Sequence, residues 1–159
     1  MKVNWANILE RLKAYPISVN RLLPPCPEGR IDEVQADMGR FPEDLVGMLE
    51  YFNGAELFAN TGPLVSIFGV SALPPLPPME WAPEWCVDKF TPRWRAAGGG
   101  RQGDWAIAMM NYGGLIIMHS DGSLLEWDTA QRTWGAKSPD LAAWFEEILR
   151  DGDAYMREI

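Results

Sequence analysis

The feature that most constrains the fold of this chain is a change in the spacing of its apolar residues. In the first third and near the C-terminus they recur every three or four residues, which is typical of helices that bury one face. Between Asp104 and Ala136 they form short runs separated by glycine-containing turns, which is typical of antiparallel strands. Helices, then a meander, then a helix predict a single α+β domain with an antiparallel or mixed sheet flanked by helices.

Capping residues set the expected helix ends. Asn4 is expected to cap a helix over 4–14, and a second helix is expected from Glu28 to Gly39. A third is expected with Pro42 in its first turn and Asn53-Gly54 as its left-handed C-cap.

A final helix is expected to begin at Ser138-Pro139-Asp140, with serine as the cap and proline at the first helical position. Asp151-Gly152-Asp153 indicates a break or a frayed end of that helix. The expected strands are 64–68, 105–110, 115–119, 124–127 and 133–136. Asp121-Gly122 is the strongest hairpin signal among the turns between them.

A segment rich in proline and tryptophan, at about residues 73–101, interrupts these elements. Pro74 to Pro78 predicts an extended polyproline connector, or alternatively a ligand for a proline-reading module. Residues 83–97 are expected to form one or two short helices interrupted at Pro92, and Gly98 to Gly100 a flexible break. No internal repeat or long linker divides the chain, so residues 1–159 are interpreted as one domain.

Composition limits the classes of function. A formal charge of −8 and a pI of about 4.6 disfavour nucleic-acid binding and favour a basic partner, or simply a soluble surface. Neither a membrane-spanning segment nor a secretory leader is evident, which predicts a cytoplasmic protein. Cys26 and Cys86 are expected to be free thiols.

Residues with catalytic or ligating chemistry are few and scattered. His119 is the only histidine and is interpreted as an ordinary residue at a strand end, because no nucleophile motif accompanies it. One histidine and two isolated cysteines do not make a zinc site. Gly98 to Gly103 matches GxGxxG, but a strand rather than a helix is expected to follow, so no dinucleotide is expected there. We therefore predict no catalytic residue, cofactor or metal.

Carboxylates are concentrated between residues 28 and 50. This segment contains seven acidic residues and two arginines, which gives it a local charge of −5. Such a cluster is typical of a solvated helical surface, or alternatively of a docking surface for a basic protein. The candidate partner-binding carboxylates are Asp32, Glu33, Asp37, Glu43 and Asp44. Trp81 and Trp85 are candidate aromatic anchors.

Three blocks of sequence, taken in order, resemble the SUKH superfamily of Smi/Knr-type domains from about Trp5 to Leu149. The first is 31–39 with Phe41-Pro42-Glu43-Asp44-Leu45 and Tyr51-Phe52-Asn53-Gly54, and the second is Ser66-Ile67-Phe68-Gly69. The third runs from Gly103-Asp104-Trp105 through Ser120-Asp121-Gly122 and Glu126-Trp127-Asp128 to 144–149.

The resemblance implies a mixed sheet flanked by helices and no shared catalytic residue. Bacterial members of that superfamily are immunity proteins that bind and neutralise a cognate polymorphic toxin, often a nuclease, and fungal members act as signalling scaffolds. The leading hypothesis is therefore a non-catalytic immunity protein that binds a basic toxin domain. A regulatory adaptor with several partners is the alternative, and a hydrolase that uses His119 is a remote one; the sequence does not fix the oligomeric state.

Overall fold

Seven antiparallel strands form the centre of the molecule. The computed structural model describes residues 3–71 and 85–157. Within them the strands are β1 (Arg21–Leu22), β2 (Ala55–Ala59), β3 (Pro63–Ile67), β4 (Trp105–Met110), β5 (Gly114–Met118), β6 (Leu124–Asp128) and β7 (Thr133–Ser138). They lie in the sheet in chain order, and every neighbouring pair is antiparallel. The ladder is thus a pure meander, and the only parallel pairing among the described residues is an isolated bridge between Gly69 and Cys86.

Five helices surround this sheet in the described part of the chain. They are α1 (Trp5–Lys13), α2 (Arg30–Met38), α3 (Glu43–Tyr51), α4 (Val87–Ala96) and α5 (Leu141–Arg157). The α+β class predicted from apolar spacing is confirmed, and of the two kinds of sheet that were expected, antiparallel or mixed, the sheet is antiparallel.

Helices cover both faces of the sheet. Leu115 and Trp127 line a cleft together with residues of α4, whereas Ile116 and Leu124 line a cleft together with residues of α5. Because side chains alternate between the faces of a strand, α4 and α5 lie on opposite faces. The core is thus a three-layer arrangement, which explains why β4 and β5 are almost wholly buried.

A cluster of aromatic rings joins α1 and the residue after α3 to α5. The Trp5 ring of α1 meets Phe145 of α5 edge to face at 5.6 Å between centroids, and Phe52 meets Phe145 at 6.3 Å. Edge-to-face contacts of this kind add about 0.5–1.5 kcal/mol each beyond the burial of their area. The helical spacing of apolar residues in the sequence therefore marks a real packing surface.

Two helix starts follow from local capping. Asn4 caps α1, since its side-chain oxygen accepts the Asn7 backbone N–H at 3.1 Å, as predicted. The prediction for α5 was wrong by two residues, because Asp140 is the cap and accepts the Ala143 N–H at 2.8 Å. Ser138 is instead the last residue of β7, which continues past Ala136 to pair with β6.

The expected left-handed cap at Asn53-Gly54 is absent from the end of α3. Phe52 is extended, and Gly54 has a positive φ of 103° only two residues later. The fully buried Asn53 side chain bonds both backbone groups of Val70, at 3.0 Å to the carbonyl and 2.8 Å from the N–H. This asparagine therefore clamps a distant segment instead of ending its own helix.

Three further expectations from glycine and proline were wrong. The helix does not break at Gly152, because α5 continues to Arg157 and Gly152 is buried against the ring of Phe58. The helix α4 continues through Pro92, whose neighbour Thr91 is fully buried and accepts the Ala106 N–H. Gly98 to Gly100 is a packed segment rather than a flexible one, since a Cβ on Gly99 or Gly100 would lie 2.1 Å from the indole of Trp94.

Two strands, β1 and β2, were not expected from the sequence. β1 has only two residues, and β2 contains a left-handed Phe58 with φ of 55°. Asn20 holds this unusual residue, because its side-chain oxygen accepts the Phe58 N–H at 2.8 Å while its amide donates to the Leu12 carbonyl at 3.0 Å. Because β2 depends on a side chain that is distant in the sequence, the residues of β2 alone give little indication of a strand.

Candidate functional site

The acidic residues singled out in the sequence lie at the surface of α2 and the first turn of α3. Asp32, Glu33, Asp37 and Glu43 are exposed, and Asp44 is partly buried. Gly39 ends α2 with φ of 108°, and Phe41 then enters the core against Trp105 at 4.6 Å between ring centroids. The core contacts of Val34 and Phe41 leave the carboxylates on the outer side of both helices.

Arg30 reduces the negative charge at one end of this surface. Its guanidinium lies 3.2 Å from the Glu33 carboxylate and 3.6 Å from that of Asp88. It also donates to the Ser71 carbonyl at 2.6 Å, so it is held against the start of α4. Among the five candidate carboxylates, the Glu33 carboxylate is therefore partly neutralised.

Asp44 has a different electrostatic environment. Partial burial, with Asp140 and Glu43 close by, raises the pKa of its carboxyl above the usual aspartate value. The carboxylates that raise this pKa, Asp140 and Glu43, lie just before α5 and on α3 itself. Asp44 thus has acidic neighbours on its own helix and beside α5.

The two candidate anchors differ in what the structure describes. Trp81 lies outside the described residues, as does the whole of Pro74 to Pro78. Trp85 is 37% exposed, and its ring lies 6.4 Å from that of Phe68. It is therefore a half-packed residue and not a freely protruding ring.

His119 has a carboxylate partner that the sequence analysis missed. Its Nδ1 lies 2.6 Å from Oδ1 of Asp104, and both side chains are largely buried. The other oxygen of Asp104 accepts the Arg101 backbone N–H at 3.2 Å, and the Asp104 carbonyl accepts two bonds from Arg95. Asp104 is thus held by α4, through Arg95, and by the loop that follows α4, through the Arg101 N–H.

The register of one hairpin explains this pairing. Trp105 of β4 lies directly opposite Met118 of β5, so the residues just outside that pair, Asp104 and His119, come together. The turn alone would not predict this pair, because a β-bulge between Ala106 and Ala108 shifts the register by one residue before Trp105 comes to lie opposite Met118.

A polar groove of about 590 Å³ surrounds the pair. Its lining includes Arg101, Gln102, Ser120, Asp121, Trp134 and Lys137. An imidazole whose Nδ1 bonds a carboxylate is oriented to exchange a proton through Nε2.

Two observations limit catalysis in this groove. Nε2 of His119 is buried and has no hydrogen-bond partner among the described residues. The Ser123 hydroxyl donates to Asp121 at 2.6 Å instead of facing the imidazole. The imidazole therefore lies beside the groove with its Nε2 shielded, and no nucleophile is bonded to it.

No metal or dinucleotide geometry is found in the part of the chain that the structure describes. No group of three or more histidine, cysteine or acidic side chains converges there. The GxGxxG segment follows α4 and leads into β4, as the sequence predicted, so no helix N-terminus faces it.

Two simpler expectations concern the cysteines and the membrane. Both thiols are free, and burial raises the pKa of Cys26 to about 11. None of the helices in the described ranges is long and apolar enough to cross a bilayer.

Comparison with known proteins adds no relative. No protein-family model matches the sequence, and no curated protein matches it. The fold and its surface define an antiparallel α+β domain with exposed carboxylates on α2 and α3, and the SUKH resemblance stays a prediction.

Proposed function

We propose that this protein is a non-catalytic protein-binding domain, and that it acts in the cytoplasm as an immunity protein that neutralises a basic toxin domain. The observation that carries the proposal is the exposure of the α2 and α3 carboxylates on a chain of formal charge −8. The toxin as partner comes from the SUKH resemblance, and the basic charge of that partner from electrostatic complementarity.

The energy of such an interface cannot come from charge alone. An exposed ion pair contributes about 0.2–1 kcal/mol, so the carboxylates would mainly speed association and select the partner. Affinity requires buried anchors, which are usually tryptophan, tyrosine or arginine. Tyr51, at the end of α3 and 40% exposed, is a better-placed anchor for this surface than Trp85.

Asp44 offers a specific reason for a cation to bind. Its pKa is raised by burial and by its carboxylate neighbours, so its charge is poorly compensated in the free protein. A lysine or arginine of the partner placed between Asp44 and Asp140 would relieve that repulsion. We therefore expect the pKa of Asp44 to fall when the complex forms.

The test is capture with tagged protein of the product of the neighbouring reading frame, followed by calorimetry at two salt concentrations. One partner at 1:1 stoichiometry, bound more weakly at the higher salt concentration, would support the proposal. Asp32→Lys and Asp37→Lys, alone and with Glu43→Lys, should slow association. Glu10→Lys is the matched control, because Glu10 is an exposed carboxylate on a different helix, α1. Unchanged binding by the triple variant would refute this surface.

The adaptor hypothesis differs from the immunity hypothesis in the number of partners. An adaptor would capture several proteins from lysate at substoichiometric amounts, with no protection of cells that express a toxin. An immunity protein would restore the growth of cells that express the neighbouring product.

A hydrolase is the second candidate function, and the 2.6 Å pair of His119 with Asp104 favours it. The pair would supply a general base in the polar groove. Replacement of His119 by alanine separates the hypotheses. An immunity protein should keep its protective activity in this variant, whereas a hydrolase should lose its biological activity. Circular dichroism of the variant checks that the fold is retained.

A further inference from the structure

A second cleft, distinct from the acidic surface, lies between α4 and the outer end of the sheet. It has a volume of about 390 Å³, within the usual range for ligand sites. Its apolar lining comes from Phe90, Trp94, Leu115 and Trp127. The Trp94 and Trp127 rings meet edge to face at 6.2 Å, which gives the cleft a rigid aromatic wall.

Two arginines stand at the rim of this cleft. Arg93 extends from α4, and Arg132 comes from the turn between β6 and β7. Neither guanidinium forms an ion pair with a carboxylate among the described residues. Asp128 is the acidic residue nearest to Arg132 in the sequence, and its carboxylate accepts the N–H groups of Ala130 and Gln131.

The backbone holds Arg132 in place at an energetic cost. Its φ is 57°, a left-handed conformation that favours glycine, and its N–H bonds the Asp128 carbonyl at 2.7 Å to close the turn. One guanidinium nitrogen donates to the Ala97 carbonyl at the end of α4, which leaves other donors of the planar fork available. A role in solubility alone does not explain why an arginine occupies a backbone position that favours glycine and is held across an aromatic cleft.

We propose that this cleft binds a flat aromatic group that carries an anionic substituent. The ring would pack against Trp127 and Trp94, and the anion would bridge Arg93 and Arg132. Guanidinium groups match carboxylate, sulfonate and phosphate geometry through paired N–H bonds. The proposal is independent of the immunity hypothesis, since it uses neither the acidic surface nor a toxin.

The test is calorimetry of the purified full chain with naphthalene-2-sulfonate. The neutral naphthalene-2-sulfonamide has nearly the same shape, and methanesulfonate carries the anion without the ring. We expect 1:1 binding of naphthalene-2-sulfonate with a Kd on the order of 1 mM, and about tenfold weaker binding of either comparison compound.

Three variants locate the site. Arg132→Gly removes the guanidinium while supplying the residue that the left-handed backbone favours, so the fold should be retained. We expect Arg132→Gly and Arg93→Ala each to weaken binding about tenfold. Lys89→Ala is the matched control, because Lys89 is exposed on the same helix and does not line the cleft.

The outcomes are distinct. Loss of affinity in both arginine variants, with Lys89→Ala unchanged, supports the site. Equal affinity for the sulfonate and the sulfonamide would show that charge plays no part and would overturn the proposal. So would an unchanged affinity of both arginine variants, or no binding of naphthalene-2-sulfonate up to its solubility limit.

Discussion

Gly152 lies within α5 so close to Phe58 that an added Cβ would be 2.3 Å from two carbons of that ring. Alanine normally stabilises a helix interior by about 1 kcal/mol relative to glycine. Here we expect the opposite sign, because Phe58 is fully buried and cannot move outward. Gly152→Ala should lower the free energy of unfolding by about 1–3 kcal/mol, as measured by urea denaturation.

The control for this substitution is Gly62→Ala in the turn between β2 and β3. A Cβ there would meet no atom within 4 Å, and the backbone does not require a positive φ. Its effect should stay within about 0.5 kcal/mol. Stabilisation by Gly152→Ala would show that α5 and β2 are farther apart than described.

Asn53 is expected to be one of the most important polar residues for stability. Its side chain makes the two bonds to the backbone of Val70 at a fully buried site. Asn53→Ala leaves two buried backbone groups unpaired and should cost about 2–4 kcal/mol. Asn111→Ala, at an exposed turn, is the control and should cost little. A loss below about 1 kcal/mol for Asn53→Ala would contradict the clamp.

The raised pKa of Asp44 should fall when Asp140 loses its charge. Asp140→Asn keeps an N-cap acceptor for α5 and removes only the negative neighbour. Carboxyl ¹³C chemical shifts followed through a pH titration would measure the Asp44 pKa in both proteins. An unchanged Asp44 value in the variant would mean that Asp140 does not contribute to the shift.

The same pKa predicts the direction of a pH effect on stability. An aspartate whose folded pKa is raised binds its proton more tightly in the folded state than in the unfolded state. Its stabilising contribution is complete below the unfolded pKa and is lost as the pH rises through the folded pKa. The pKa of Asp44 should be raised less in Asp140→Asn than in wild type. The part of the unfolding free energy that Asp44 causes to be lost between acidic and neutral pH should therefore be smaller in this variant.

Arg11 and Glu146 link α1 to α5 through a two-pronged ion pair of 2.5 and 3.0 Å. The hydrogen bond from Arg11 lowers the pKa of Glu146, so its contribution is present at neutral pH and is lost as the pH falls through the folded pKa. Both side chains are substantially exposed, so the coupling should be only about 0.2–1 kcal/mol. A double-mutant cycle with alanine at both positions, unfolded at neutral and acidic pH, measures it. A coupling that does not decrease at acidic pH would rule out the ion pair as its source.

Much of the fold could be predicted because its signals are local. The apolar stripes of α1 and α3, the Asn4 cap, and the fully apolar strands β4 and β5 each involve neighbours along the chain. The candidate acidic residues were placed at the surface because helical spacing separates the buried face from the exposed one. The Asp104–His119 pair was not predictable in this way, because it depends on the β-bulge between Ala106 and Ala108 that shifts the hairpin register by one residue.

What the sequence did not reveal depends on contacts between distant residues. Gly152 marks a helix break by propensity and becomes a packing contact only because Phe58 lies against it. Asn53 has the residue type of a cap and acts as a clamp because Val70 offers two unpaired backbone groups.

The sequence by itself determined the fold class, most of the elements and the sign of the surface charge, all of which depend on composition and short-range spacing. Only the tertiary structure decided that Gly99 and Gly100 pack against Trp94, that Asp140 lies near Asp44, and that Arg93 and Arg132 line one aromatic cleft. The physical reason is that burial and electrostatic neighbours are properties of three-dimensional proximity, which residue type and local spacing leave open.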